Sequence, residues 1–163
     1  MVKIFIIYGK PEGEKYGFKI DQYFKKNKLD SFLASPTSPD IKPGEDFQKR
    51  IDLELSQADV VIVIVTRGLR QSVAALDEIQ RSICMDIPII PYVKNNTQPP
   101  LELQTLQQVT FMKTTVTTKP KMMELELQMW RLLDYKKKLI TIQPQNESHL
   151  PIHTKLVPMG VSL

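Results

Sequence analysis

The chain has a single cysteine, Cys84, which excludes an internal disulfide. Its two histidines, His149 and His153, both lie in the final tail. Four closely spaced ligands for zinc are therefore missing, and no histidine stands in the body of the chain to centre a catalytic triad. No GxGxxG, GxxxxGK[ST] or GxSxG occurs, so there is no dinucleotide fingerprint, Walker loop or nucleophile elbow. No apolar run approaches the ~20 residues that a membrane span needs. "IFIIY" is too short for a signal peptide core, and Gly-Lys-Pro follows it at once. The expected location is the cytoplasm, with no membrane partner. The net charge of +4 comes without a dense Lys/Arg stripe interleaved with aromatics, so nucleic acid is not an expected partner either. The densest basic run, Tyr135 to Lys138, reads as a helix C-terminus facing its own dipole.

What is present is an alternation. Residues 2 to 8, "VKIFIIY", form a nearly continuous apolar run, as a strand buried on both faces requires. Ile20 and Phe24 sit at helical spacing within residues 14 to 28. "SFLAS" is a short second strand, and "PTSPDIKPGED" a proline-rich loop. Phe47, Ile51, Leu55 and Ala58 fall on one helical stripe. "ADVVIVIVT", residues 58 to 66, is the strongest strand and belongs at the centre of a sheet. A third helix starts within "QSVAALDEIQRS", residues 71 to 82. "IPIIPYV" is a fourth strand, residues 100 to 108 a short helix, "VTFMK" a fifth strand, and about Lys121 to Lys138 a last helix.

This pattern predicts an α/β fold: a flavodoxin-like five-stranded parallel sheet, order 2-1-3-4-5, with helices on both faces. Ligands bind such sheets outside the carboxyl ends of strands one and three, where the winding reverses. Those ends are Tyr8-Gly9-Lys10 and Thr66-Arg67-Gly68. A response-regulator site is excluded, because Thr66 stands where its aspartate would be and no acidic pair follows strand one. The domain is expected over 1–138. Residues 139–163, with three prolines and no helical period, are expected as an extended tail or one docked on the domain or a partner. The last helix carries two apolar faces, one with Met122, Leu125, Met129, Leu132 and Leu133, the other with Met123, Leu127 and Trp130. That is more than one core contact needs, so the tail or a partner subunit is expected to cover one of them.

Three local patterns, in order on these elements, resemble the Toll/interleukin-1 receptor (TIR) domain family. "KIFIIYG" is similar to its opening F-I-S-Y strand. "DIKPG", Asp40 to Gly44, matches the D-x-x-P-G of its BB loop. Ser72 and Glu78 stand at the spacing of S-x-W-C-x-x-E, which enzymatic members carry at the start of the third helix. The chain departs from these patterns at Ile7 for the serine, Pro39 for the arginine often preceding the loop aspartate, and Ala74 and Ala75 for the tryptophan and cysteine.

The resemblance implies an NAD glycohydrolase or cyclase in signalling or antiviral defence. It would be a stand-alone protein of the prokaryotic kind, with NAD as substrate rather than cofactor and no metal. Glu78 would be the catalytic carboxylate. Homo-oligomerisation through TIR–TIR contacts and a separate effector protein responding to the product are implied as well. The chemistry explains why one carboxylate can suffice. Nicotinamide leaves as a neutral ring, and the ribose becomes oxocarbenium-like beside the negative charge. Two other readings stand beside this one. The first is a non-catalytic TIR interaction module; the second is a nucleoside deoxyribosyltransferase-like enzyme.

The candidate residues each have a plainer use. On a helix of ~100° per residue, Val73, Leu76, Ile79 and Ile83 cluster on one side. Glu78 lies away from them near Ala74 and Arg81, either as the catalytic group or as a solvated charge paired with Arg81. Tyr8, Gly9 and Lys10 either meet substrate or make a turn. Thr66 and Arg67 either touch ribose and phosphate or end a strand in a solvated loop. Ser72 contacts substrate or caps the helix. Ala74 would leave an open pocket wall. Asp40, Pro43 and Gly44 either gate the site and pair subunits or form a rigid turn.

Overall fold

A computed structural model describes the backbone of residues 1–149 and the side chains of residues 1–139. Five strands follow one another as β1 (Lys3–Tyr8), β2 (Asp30–Leu33), β3 (Val60–Val65), β4 (Ile89–Lys94) and β5 (Val109–Phe111). The helices are α1 (Glu12–Lys26), α2 (Phe47–Ser56), α3 (Val73–Cys84) and α4 (Lys119–His149). The sheet order is β2-β1-β3-β4-β5, and every pairing is parallel. Each crossover is a helix or helical turn, the connection that parallel strands need.

The apolar runs read from the sequence are the inner strands. All six residues of β3 are buried, as are Ile4 to Tyr8 of β1. Alternate side chains feed two layers. Phe5, Ile7, Val61, Val63 and Val65 join Ile51 and Leu55 of α2 and Ala75 and Ile79 of α3 in one core. On the other face α1 buries Tyr16, Ile20 and Phe24. There Tyr16 meets Phe111 edge-on at 5.3 Å, and Phe111 stacks on Tyr92 at 4.4 Å. Helices therefore cover both faces, as the alternation predicts.

Three elements differ from the sequence reading. Residues 100 to 108 form only a single 3-10 turn, Leu101–Leu103. Pro99 and Pro100 lead into it, and Leu103 alone is drawn inward while Leu101 stays 78% exposed. One apolar anchor does not sustain a helix. The last helix runs to His149 rather than Lys138: no glycine or proline stands between Pro120 and Pro144, so nothing in the sequence stops it at Lys138. The part of the expected tail from 139 to 149 is thus helical, and residues 150–163 lie outside the described residues. In α3 the inward face is Ala75, Glu78, Ile79 and Ser82, whereas Val73 and Ile83 are exposed. The helix is rolled from the orientation that apolarity alone suggests, because its small residues let it sit close to the sheet.

By internal packing the chain divides into a unit of residues 1–129 and a second that begins at Trp130, within α4. In the first unit Met122, Leu125 and Met129 of α4 are buried, and Met123 and Leu127 are exposed. Among the described residues no helix is long and apolar enough to cross a membrane.

Candidate functional site

Two loops cross at the carboxyl ends of β1 and β3, and glycine permits the crossing. A Cβ on Gly68 would stand 1.9 Å from the Lys10 carbonyl oxygen, and one on Gly9 would stand 2.5 Å from Leu69 Cα. No other residue fits either place without moving backbone. Gly9 therefore serves the approach of one loop to another, and the space for a ligand opens beside this pinch.

That space is a cleft of about 330 Å³, walled by Tyr8, Lys10, Ala34, Pro36, Gly68, Gln71, Ser72, Ala74, Ala75 and Glu78. It lies where the winding of the sheet reverses, at the position the topology predicts. A larger hollow of about 620 Å³ lies along α1, lined by Lys19, Gln22, Tyr23, Lys25, Lys26 and Thr117. It has no buried carboxylate and stands away from the strand ends, so the smaller cleft is the better candidate.

Glu78 comes into the cleft from the second turn of α3. Ser72 caps that helix by accepting a hydrogen bond from the Ala75 amide at 3.2 Å, and so fixes where its first turn begins. The Glu78 residue is only 8% exposed. Burial pushes its carboxyl up to about 8; Arg81 opposes the rise, and Asp77 and Asp52 add to it. The plain reading of Glu78 as a solvated partner of Arg81 is not what the structure contains, since Arg81 Nη1 pairs with Asp52 Oδ1 at 2.7 Å.

Tyr8 forms the floor from the end of β1. Its hydroxyl donates to Glu14 Oε2 at 3.0 Å. Burial raises its ionisation to about 12, against a hydrogen bond from Ser35 and with help from the charges of Glu14 and Glu78. It remains a neutral donor at any physiological pH. Lys10 stands at the mouth, its side chain 68% exposed and its ammonium 3.4 Å from Glu14 Oε2. Ala74 contributes an open, methyl-sized stretch of wall beside Glu78.

Of the candidates read from the sequence, Glu78, Tyr8, Lys10, Ser72 and Ala74 share this cleft. Gly9, Thr66 and Arg67 are not part of its wall. Thr66 is buried behind it, with an Oγ1 that lacks a hydrogen-bond partner among the described residues, and Arg67 is exposed. Asp40, Pro43 and Gly44 belong to the loop between β2 and α2. Gly44 has a φ of +82°, which favours glycine, and Asp40 pairs with Lys25 at 2.6 Å. None of the three lines the cleft, although Ala34 and Pro36, at the start of the same loop, do. Gly68, Gln71 and Ala75 complete the wall from the segment after β3 that the topology places at the crevice, whereas Ala34 and Pro36 are wall residues that the sequence reading does not single out. The available signal was the parallel pairing of β2 with β1, which brings the exit of β2 beside Tyr8; the Ala34 amide indeed bonds the Ile6 carbonyl at 3.0 Å.

Chemically, the site is a half-enclosed cleft with one buried carboxyl, one phenol, one ammonium at its rim and several methyl-sized walls. Among the described residues no group of three or more His, Cys, Asp or Glu side chains is placed to hold a metal ion.

Comparison with known proteins agrees with this topology. The family model for the TIR domain matches residues 4–125. No curated protein sequence matches the chain. Among solved structures, the TIR domain of the Toll-related receptor TRR-2 from Hydra magnipapillata superposes with a TM-score of 0.61 at 17% identity, covering 78% of this chain and 97% of that one. A 2-deoxyribosyltransferase from Bacillus psychrosaccharolyticus superposes with a TM-score of 0.53 at 14% identity, covering 72% of this chain and 93% of that one. At such identities these two likenesses speak for the fold.

Proposed function

The chain belongs to the TIR domain family, and we propose that it works as an NAD glycohydrolase or cyclase with Glu78 as its catalytic carboxylate. One observation carries the reading: Glu78 is buried in the wall of a cleft at the switch point of the sheet, and among the described residues no cation forms a salt bridge with it, Arg81 being paired with Asp52 instead.

The substrate arrives with a positively charged pyridinium ring. In the free protein, at neutral pH, burial keeps most Glu78 carboxyls protonated. A cation placed against the group favours its ionised form, so binding expels the proton. The bond between nicotinamide nitrogen and ribose C1′ then breaks, and its electron pair leaves on the neutral nicotinamide. Positive charge moves to C1′ and the ring oxygen, where the carboxylate of Glu78 opposes it. Walls of Ala34, Pro36, Ala74 and Ala75 screen that attraction poorly, which strengthens it. Fixed electrostatic stabilisation of this kind is commonly worth ~3–4 kcal/mol per group. Addition of water at C1′ and loss of its proton yields ADP-ribose; attack by a nitrogen of the adenine ring yields a cyclic product. Tyr8 offers a neutral hydroxyl to the sugar, and Lys10 a cation to a phosphate.

Self-association, a cytoplasmic location, a role in signalling or defence, and an effector that responds to the product belong to the same proposal. The second reading, a non-catalytic assembly module, is favoured by the exposed pair Met123 and Leu127 on α4, which suits a contact with another domain. Purified protein incubated with NAD separates the two. Nicotinamide release by the wild type and its loss, by ~10²–10³-fold, in Glu78→Gln is the expected result. No release at any protein concentration would refute the enzymatic reading and leave the assembly module, and equal release from both proteins would refute Glu78 as the catalytic group.

A further inference from the structure

We propose that Asp52 is a positioning residue for the reaction assigned above: it holds the Arg81 guanidinium off Glu78, so that the carboxyl in the cleft keeps no salt-bridge partner among the described residues and stays open to the substrate's cation. The inference rests on the reading of Glu78 as the catalytic group. Arg81 follows Glu78 by three residues on α3, the spacing at which a carboxylate and a guanidinium on one helix ordinarily meet. They do not meet here. Arg81 Nη1 lies 2.7 Å from Oδ1 of Asp52 on α2, 29 residues upstream. Asp52 is itself held, because Gln48 Nε2 donates to the same oxygen at 2.9 Å.

The groups that face Glu78 are few. Asp77 and Arg81 lie on its own helix, Asp52 faces it from α2, the Tyr8 hydroxyl from β1, and Lys10 stands at the rim of the cleft. Two of these are cations, and a carboxylate engages each: Arg81 by Asp52, Lys10 by Glu14. The cleft is thus arranged to leave its acid unpaired. Had Arg81 closed on Glu78, the carboxylate would be neutralised before substrate arrived, and its affinity for a developing cation would fall accordingly.

The test follows the titration of the Glu78 carboxyl by carbon NMR in the full chain, for the wild type, Asp52→Ala, Arg81→Gln and the double variant. Asp52 is 44% exposed in its side chain, so its truncation leaves the core intact. In Asp52→Ala the freed guanidinium turns to Glu78, and the midpoint falls by about one pH unit or more. In the Arg81→Gln background the same truncation removes only a distant negative charge, and the fall is a minor fraction of that. An equal fall in both backgrounds, or none in either, overturns the inference. The rate of nicotinamide release supplies a second readout: its rise with pH shifts to lower pH in Asp52→Ala, and kcat drops while the fold is unchanged. Absence of release from the wild type would defeat the enzymatic reading, and the titration would still decide the pairing.

Discussion

Replacing Glu78 with glutamine should stabilise the protein, and by an amount that grows with pH. The two side chains have the same shape, but only the acid must be buried charged at high pH. Its folded midpoint is about 8 against an ordinary 4.5. Between these values the folded state binds the proton more tightly than the unfolded chain does, so stability falls as pH rises. The sign is that of a raised carboxyl: the full contribution is present below pH 4.5 and is lost as pH rises through about 8. At ~1.4 kcal/mol per pH unit the loss is about 3 kcal/mol by pH 7 and on the order of 4–5 kcal/mol above pH 8. Glu78→Gln escapes this loss. The variant should match the wild type near pH 4.5 and melt about 6–12 °C higher at pH 7, given ~2–4 °C per kcal/mol for a chain of this size. Paired urea titrations at pH 4.5, 7 and 9 measure the difference, and all other titrating groups cancel between the two proteins. A difference that does not change with pH, or a variant less stable at pH 9, would refute the assignment of Glu78 as a desolvated acid. The same substitution removes the proposed activity, so stability and function would trade against each other at one residue.

Three further outcomes follow from the geometry. Gly68→Ala drives a methyl group to 1.9 Å from the Lys10 carbonyl, and should cost ~3 kcal/mol or more in urea denaturation or leave the protein unfolded. Lys25→Met removes the cation from Asp21, which is 2% exposed and would keep only its bond from Ser31. The expected loss is ~2 kcal/mol, near the low end for breaking a buried pair because Lys25 is partly solvated, whereas Asp40→Asn at the outer end should cost under ~1 kcal/mol. Ser72→Ala removes the cap of α3 and should cost ~1 kcal/mol, with Ser72→Asp restoring most of it in thermal melts.

The strands were legible because their message is local. "ADVVIVIVT" and "KIFIIY" are apolar at every position, which only a strand covered on both faces requires, and β3 and β1 are those strands. The helix α2 was legible through its stripe, of which Ile51 and Leu55 are buried while Phe47 is exposed; that Asp46 caps it, accepting from the Lys49 amide at 3.1 Å, is seen only in the structure. The face of α3 was not. Apolarity favours a stripe through Val73 and Ile83, and the helix instead turns Ala75, Glu78, Ile79 and Ser82 inward. Small residues were the better guide there, because close approach to the sheet outweighs two marginal apolar side chains. The use of Gly9 was also hidden, since its partner, the backbone of Leu69, lies far along the chain.

Sequence by itself determined the alternation of strands and helices, hence a parallel sheet, its reversal point beside Tyr8 and Thr66, and the carboxylate at the start of the third helix. These follow from periodicity and from connection rules that act over a few residues. Tertiary structure alone decided that Glu78 is buried, that Arg81 answers to Asp52 rather than to its helical neighbour, and that Gly9 and Gly68 lock two loops beside an open cleft. Desolvation and choice of charge partner depend on which segments pack together. Segments distant in sequence settle both, so the same carboxylate can be an ordinary surface charge in the sequence and an unpaired acid in the fold.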